Sequence, residues 1–261
     1  MPPRPPSTAS QKTCGESVGR TASGTFPEGG PTLLRTCSGI RRSRRSKQSG
    51  RRSHKAGSGR CRGGYPWLTD TALGPWFNRK ADPYRSTENL IHVLADVVAK
   101  NGCLLLNVGP NADGSIPERA EKMLIEIGAW LKVNGEAIYG TRPWLVYGEG
   151  PTRSGGGGFS EGTDQALNAQ DIRFTTKGDA LYAITLGWPE GEFTLHAVRA
   201  DSAGSDAQVE LLGHGPVPHR VNAERQIVID PPALSVAQLP CLHAFSFKLT
   251  GFKTSVHPSA R

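Results

Sequence analysis

The chain has 261 residues, of which 36% are hydrophobic and 21% charged, a length that allows one large domain or two of ordinary size. Its formal charge of +8 is uneven: residues 1–62 hold 14 Lys/Arg and 2 Asp/Glu (+12), whereas the remainder holds 17 and 21 (−4). The sequence contains no apolar run of the ~18 residues that a membrane-spanning helix needs, and its five cysteines include no C-x-x-C pair, so no membrane span and no metal site are expected.

The basic character belongs to residues 1–62, which are rich in Ser, Gly, Pro and Arg and lack apolar periodicity. We expect a disordered leader here. Its clustered cations could contact phosphate backbones, but nucleic-acid-binding segments usually have a fold or interleaved aromatic residues, so a nucleic-acid partner is not expected. Another interpretation is that the leader is not native coding sequence. The first residues also lack the apolar stretch of a secretion signal, and the sequence therefore assigns no localisation.

At Gly63 the composition changes to a stretch dense in aromatic residues and in Gly and Pro. We interpret residues 63–86 as a loop that forms either the wall of a sugar-binding pocket or a cap over the core. Its aromatic residues are Tyr65, Trp67, Trp76, Phe77 and Tyr84.

A helix–strand–helix unit follows. Ser86 is a plausible N-cap for a helix that ends at Asn101-Gly102, and residues 103–108 form an apolar strand expected to be buried on both faces. Ser115 and Glu118 predict a capping box for a second helix. The expected buried face of that helix consists of Ala120, Met123, Leu124, Ile127 and Leu131. His92 in the first helix is interpreted as a packed or solvated residue rather than a catalyst.

After Arg142 the apolar residues alternate, which indicates strands. The turn signal Lys177-Gly178-Asp179 predicts a hairpin, and the pattern as a whole predicts an antiparallel β-sandwich over residues 142–250. The predicted strands are 143–147, 172–176, 180–186, 192–198, 208–212, 219–221, 226–229 and 244–249. Residues 251–261 are expected to form a tail.

Three segments carry a resemblance to a known family: YPWLTDTALGPW, LADVVAKNGCLLLNVGPNADGSIP and WLKVNGEAIYGTRPW. Together they resemble glycoside hydrolase family 29, the α-L-fucosidases, and the closing HAFSFKL is similar to that family's C-terminal β-domain. The resemblance covers residues 64–250. It implies that residues 63–141 are the last part of a (β/α)8-type barrel, so the expected fold is an α/β barrel remnant followed by an all-β antiparallel sandwich.

The resemblance also implies a function: retaining hydrolysis of terminal α-L-fucose from glycans by two carboxyl groups, without a metal or organic cofactor. The sequence departs from the family, however. A barrel of this type takes ~250 residues, and the motif of the nucleophilic Asp is absent. Leu68 stands where some members place the acid/base Glu. No catalytic residue is therefore assigned, and Asp70 and Asp82 are interpreted as turn or capping residues.

The candidate substrate-binding residues are Trp76, Trp67 and Asn107. Trp76 aligns with an aromatic residue that, in the family, lines the fucose pocket. Trp67 lies in the same aromatic stretch, and Asn107 ends the apolar strand. We expect a C-terminal fucosidase fragment that is inactive alone. The alternative is a non-catalytic carbohydrate-binding or interaction module. The sequence sets no oligomeric state.

Overall fold

In the computed structural model, residues 66–74, 76, 83–152 and 166–258 are described, and all of them belong to one compact unit. The expected disordered leader, Asp82 and residues 154–158 lie outside these ranges. Across the described ranges, no helix has both the length and the apolar composition needed to cross a bilayer.

The described residues form two α-helices and ten strands, with the helices near the beginning and an all-β part after them. In chain order the elements are β1 (Trp67–Ala72), α1 (Thr87–Ala99), β2 (Gly102–Asn107), α2 (Glu118–Asn134), β3 (Arg142–Glu149), β4 (Ile172–Lys177), β5 (Ala180–Thr185), β6 (Phe193–Leu211), β7 (Gly215–Val217), β8 (His219–Val221), β9 (Gln226–Ile229) and β10 (Phe245–Val256).

The first two strands form a parallel pair, whose register aligns Trp67 with Gly102 and Ala72 with Asn107. The prediction that residues 63–86 are a loop is therefore wrong for β1, because pairing with β2 makes this stretch a strand despite its Gly- and Pro-rich flanks. The prediction that β2 is buried on both faces is also wrong. Leu106 packs toward the helices, whereas Leu105 is 56% exposed because the described elements cover only one face of the pair.

Local chemistry sets both ends of α1 as predicted. The Ser86 hydroxyl accepts a hydrogen bond from the Asn89 N–H at 3.1 Å, and Asn101 adopts a left-handed φ of 67° after the helix. The predicted capping box of α2 is wrong. Ser115 donates instead to Asp113, through both its N–H and its hydroxyl, and α2 begins after Pro117 without a side-chain cap.

The all-β part is an antiparallel β-sandwich, as predicted. Its eight strands form one continuous sheet in the order β3-β4-β5-β10-β6-β9-β8, with β7 paired to β6. The sheet folds over a single core because β6 and β10 are long enough to run through both layers. Phe174 and Leu181 of one layer pack in that core with Leu195, Ile227 and Ile229 of the other.

Two features of the sheet differ from the sequence prediction. Strands expected at 192–198 and 208–212 are the ends of one strand, β6, because residues 199–207 between them also pair, in part with β10. The expected tail at 251–261 is wrong for 251–256, since Phe252 pairs with Ala203 and Val256 with Val198. The Gly178 hairpin between β4 and β5 is present as predicted, with φ of 58° at the glycine.

β5 is buried on both faces and joins the two parts of the structure. Leu181 and Ala183 face the sandwich core, while Tyr182 and Ile184 face the helices. The helix residues in this second cluster include Ile91, Ala95 and Trp130. The predicted buried face of α2 is confirmed: Ala120 and Met123 are buried, and the other three residues pack partly buried against the core, namely Leu124, Ile127 and Leu131. The prediction missed Trp130, the largest fully buried side chain among the described residues.

An ion-pair network crosses the same interface. Arg173 of β4, 2% exposed, donates from Nε to Oδ1 of Asp96 at 2.6 Å, and Lys100 Nζ lies 2.6 Å from Oδ2 of Asp96. The guanidinium also lies 5.7 Å from the ring centroid of Tyr147. Because Arg173 is buried and shielded from water, the Asp96 carboxylate is needed to compensate its positive charge.

We predict that Asp96→Ala lowers the free energy of unfolding by roughly 3 kcal/mol, because it leaves a buried guanidinium unpaired. Urea denaturation measures the effect. Glu118→Ala is the matched control: it removes one partner of an exposed i,i+4 pair with Lys122, and its midpoint should stay that of the parent. Equal midpoint shifts in the two variants would contradict the role given to Asp96.

A second carboxylate, Glu149, connects β3 to β6. It accepts hydrogen bonds from the backbone N–H groups of His196, at 3.0 Å, and Ala197, at the register shift where β6 loses its pairing with β9. Burial raises the pKa of Glu149 to about 7 from an ordinary value of 4.5, although both hydrogen bonds oppose the shift.

Because the folded state favours protonated Glu149, its contribution to stability is full below about pH 4.5 and is lost as the pH rises through about 7. We predict a decrease in unfolding free energy on the order of 2–3 kcal/mol across this window. Glu149→Gln should flatten the profile, whereas the exposed Glu224→Gln should not. Urea midpoints measured from pH 4 to 8 test the assignment, and a Glu149→Gln profile as steep as the parent's would refute it.

Candidate functional site

The site is built at the carboxyl edge of the β1–β2 pair. Pairing continues one step past the strands, because the Leu73 N–H donates to the Asn107 carbonyl at 3.1 Å. The Arg85 N–H then donates to the Leu73 carbonyl at 2.9 Å, which returns the chain to the start of α1. The carboxyl edge of parallel strands is where α/β folds bind their ligands.

Two of the three candidate binding residues meet at this edge. Asn107 Nδ2 donates to the backbone carbonyl of Trp76 at 3.3 Å, and the Trp76 side chain is 36% exposed. The amide of Asn107 thus holds the backbone that carries Trp76, so these two residues act as one unit.

Trp67 lies at the opposite end of β1. It lies five positions before Ala72, which at ~3.3 Å per residue puts it roughly 16 Å from the carboxyl edge. Its indole Nε1 donates to the Lys100 carbonyl at 2.9 Å, and its ring lies against Gly102, where a Cβ would come within 2.8 Å. These contacts give Trp67 a packing role at the amino-terminal end of the strand pair.

Tyr84, one of the aromatic residues of the 63–86 stretch, also lies in this region, although it is not among the three candidate binding residues. Its ring covers Gly74, where a Cβ would approach it to 3.0 Å, and the Arg119 guanidinium lies 4.8 Å from the ring centroid. The signal available in the sequence was Gly74 itself, since a glycine after a strand often permits a close approach.

The loop after β2 is closed on itself. The Asn111 N–H donates to the Ser115 carbonyl at 2.8 Å, and the Asn111 side chain donates to the Ser115 hydroxyl at 2.9 Å. Hydrogen bonds from the Ser115 side chain and backbone lower the pKa of Asp113. This carboxylate therefore stays ionised and stabilises the turn. An ionised carboxylate cannot act as a proton donor. Asp70 sits within β1, opposite Leu105, and its side chain is exposed.

A cluster of titratable groups lies away from this edge, between the helices and β10. His243 Nε2 and Glu126 Oε1 are 2.6 Å apart, Thr87 donates to the other Glu126 oxygen at 2.6 Å, and His92 Nε2 lies 3.1 Å from the His243 carbonyl. The Thr87 hydrogen bond lowers the pKa of Glu126, and burial lowers that of His92. Every group serves the helix–sheet contact, so His92 is a packed residue, as expected.

Among the described residues, no group of His, Cys, Asp and Glu side chains is arranged to hold a metal ion. Cys241 donates its thiol to the Ala244 carbonyl at 3.2 Å, and burial raises its pKa, which keeps the thiol protonated.

Comparison with known proteins accounts for both parts of the fold. A family model described as Alpha-L-fucosidase matches residues 39–136, and one described as Alpha-L-fucosidase C-terminal domain matches residues 165–250. The first match begins at residue 39, within the basic segment, so the composition change at Gly63 does not limit the family similarity.

Curated relatives include plasma alpha-L-fucosidase of Rattus norvegicus, 35% identical over 179 residues, and alpha-L-fucosidase of Branchiostoma floridae, 34% identical over 179 residues; each alignment covers 67% of this chain and 35% of the relative. Among solved structures, the Thermotoga maritima alpha-fucosidase is similar with a TM-score of 0.55 and 29% identity, over 72% of this chain and 40% of that protein. Alpha-L-fucosidase isoenzyme 1 of Paenibacillus thiaminolyticus gives 0.53 and 28%, with the same coverage.

The chain thus spans about a third of the length of the curated relatives it matches. The two matched models follow each other in the order of the two parts of the fold, the parallel strands with their helices and then the sandwich. On this evidence the chain belongs to the α-L-fucosidase family, glycoside hydrolase family 29, and corresponds to the carboxyl-terminal part of its barrel together with its C-terminal β-sandwich domain.

Proposed function

We propose that this chain carries the C-terminal part of a retaining α-L-fucosidase, which releases terminal α-L-fucose from fucosylated glycans. In this proposal the described residues supply a wall of the sugar pocket and the reacting carboxyl groups come from elsewhere. The observation that carries it is the meeting of Trp76 and Asn107 at the carboxyl edge of the β1–β2 pair.

The chemistry explains why a wall alone is not sufficient. Retaining hydrolysis needs two carboxyl groups about 5–5.5 Å apart: one attacks the anomeric carbon, and the other protonates the departing oxygen and later activates water. Asp113 is committed to Ser115, and Leu68 offers no proton where some family members have Glu. The described residues therefore bind and orient the sugar in this proposal, and they do not react with it.

The wall suits a deoxysugar. Fucose presents an apolar methyl group and C–H faces, which pack favourably on an exposed indole. Asn107 contributes by fixing the Trp76 backbone, so its role is positioning. A second candidate function is carbohydrate binding without hydrolysis by the same edge. It is favoured by two separate observations: the indole of Trp76 is exposed, and the Asp113 carboxylate is engaged in a turn.

We predict that the purified 261-residue chain releases no 4-nitrophenol from 4-nitrophenyl α-L-fucoside above the uncatalysed rate, because a reaction through two carboxyl groups requires both. The absorbance of nitrophenolate at about 405 nm, recorded continuously, measures this release. A full-length family member serves as positive control. Turnover by the chain would mean that it supplies its own carboxyl pair.

We further predict that Trp76→Ala weakens fucose binding at least about tenfold, the loss expected when one stacking surface is removed. Ligand-observed NMR with millimolar-range fucose measures the affinity. Trp67→Ala is the matched control, because it removes the same side chain from the other end of β1, and it should leave fucose affinity unchanged. A loss of binding in the Trp67 variant alone would reverse the assignment.

A further inference from the structure

A groove of about 1000 Å³ opens on the β-sandwich, separate from the β1–β2 edge. The segment before β4, the turn between β5 and β6, the first residues of β6 and the end of β3 form its walls. The lining residues on which the argument rests are Gln170, Trp188, Glu190, Phe193 and His196, with Glu149. Its volume is at the upper end of the range for sites that bind small molecules.

A buried residue, Asp171, holds the walls of the groove in place. Asp171 is fully buried, and its carboxylate accepts from the N–H groups of Thr152 and Asn168, each at 3.0 Å. Its backbone carbonyl accepts from the Leu186 N–H at 2.9 Å, which ties the turn before Trp188 to the same point. One buried residue therefore fixes three stretches of chain around the groove, so little ordering is needed when a ligand binds.

Two aromatic rings in the groove have fixed orientations. Trp188 packs edge-on against Phe245, with ring centroids 4.9 Å apart and an interplanar angle of 73°. Phe193 packs in the same way against Phe247, at 5.2 Å and 64°. Both are only partly buried, so each is anchored in the core and keeps part of its surface at the groove. Rigid, partly exposed rings of this kind suit stacking by the C–H faces of a sugar ring.

The polar lining consists of hydrogen-bonding groups and negative charges. Gln170, Glu190 and His196 are exposed, and their side chains form no hydrogen bond or ion pair with the other described residues. Glu192 lies at the rim and is paired with Arg220 at 2.7 Å. Amides donate hydrogen bonds to hydroxyl groups and accept them, and carboxylates accept them. The exposed Glu190 carboxylate, which has no cationic partner among the described residues, also repels anionic ligands.

We propose that this groove is a second, non-catalytic binding site that takes a neutral, hydroxyl-rich saccharide, with Trp188 as its stacking surface and Glu190 as a hydrogen-bond acceptor. The site is independent of fucose and of the β1–β2 edge. It would hold a glycan beside the catalytic part of the family's fold.

The experiment compares two probes that share one framework. Lactose is neutral and contains no fucose, so its binding does not depend on the proposed hydrolase function; 3′-sialyllactose adds a carboxylate. Titration of the full chain by ligand-observed NMR should show saturable binding of lactose at millimolar concentrations and at least tenfold weaker binding of 3′-sialyllactose.

Variants locate the site. Glu190→Ala should weaken lactose binding about tenfold, the loss expected for one hydrogen bond to a charged acceptor. Because Glu190 is exposed, this substitution should leave the fold intact. Trp188→Ala should abolish binding, with a thermal melt to check folding. Glu118→Ala removes one carboxylate from the exposed face of α2 and should leave binding unchanged.

Three outcomes would overturn the proposal. One is no saturable lactose binding by the parent chain. Another is equal or tighter binding of 3′-sialyllactose. The third is lactose binding that Glu190→Ala and a folded Trp188→Ala variant leave intact, since the ligand would then occupy another surface.

Discussion

The burial of β5 on both faces is the constraint on which the rest of the structure depends. A strand in this position carries mostly apolar side chains, and it must be covered by a layer on each side. The buried polar exception, Thr185, donates its hydroxyl to the Phe245 carbonyl at 3.3 Å. The sandwich core covers one face, and α1 and α2 cover the other. Trp130 reinforces the second contact, because its indole N–H donates to the Ala244 carbonyl at 2.8 Å just before β10 begins. The helices and the sandwich therefore stabilise each other.

This shared core determines how the candidate site is supported. α1 is fixed to the sheet by Asp96 and Arg173, and β2 follows α1 after a connection of two residues, Lys100 and Asn101. The position of β2, and with it the position of Asn107, is thus set by the sandwich. The hydrogen bond from the Asn107 side chain then transmits that position to Trp76. The positions of Asn107 and Trp76 at the carboxyl edge are therefore only as well defined as the contact between the helices and the sheet.

The parts of the structure that the sequence predicted are those decided by neighbouring residues. The Ser86 cap, the left-handed Asn101 and the Gly178 hairpin each follow from the chemistry of two or three adjacent side chains. The remainder depends on distant partners. β1 is a strand because β2 lies beside it, and the polar middle of β6 stays extended in part because β10 pairs with it. At the candidate site, the sequence proposed Trp76, Asn107 and Trp67 together. It could not show that Trp67 lies apart from the other two, because only the register of β1 places Trp67 at the other end of the strand.

The length and pairing of β10 have a consequence for how the chain folds. β10 is the last of the described strands, and it pairs with both β5 and β6. The residues that it pairs with precede their partners by 36 to 68 positions. Ala244, the acceptor for Trp130, precedes it directly. Contacts between residues so far apart in sequence form slowly. During synthesis, β5 therefore has one unpaired edge and much of its core unfilled until β10 leaves the ribosome. Folding of this unit cannot be completed before that point, and the nascent chain is most exposed to aggregation in the interval before it.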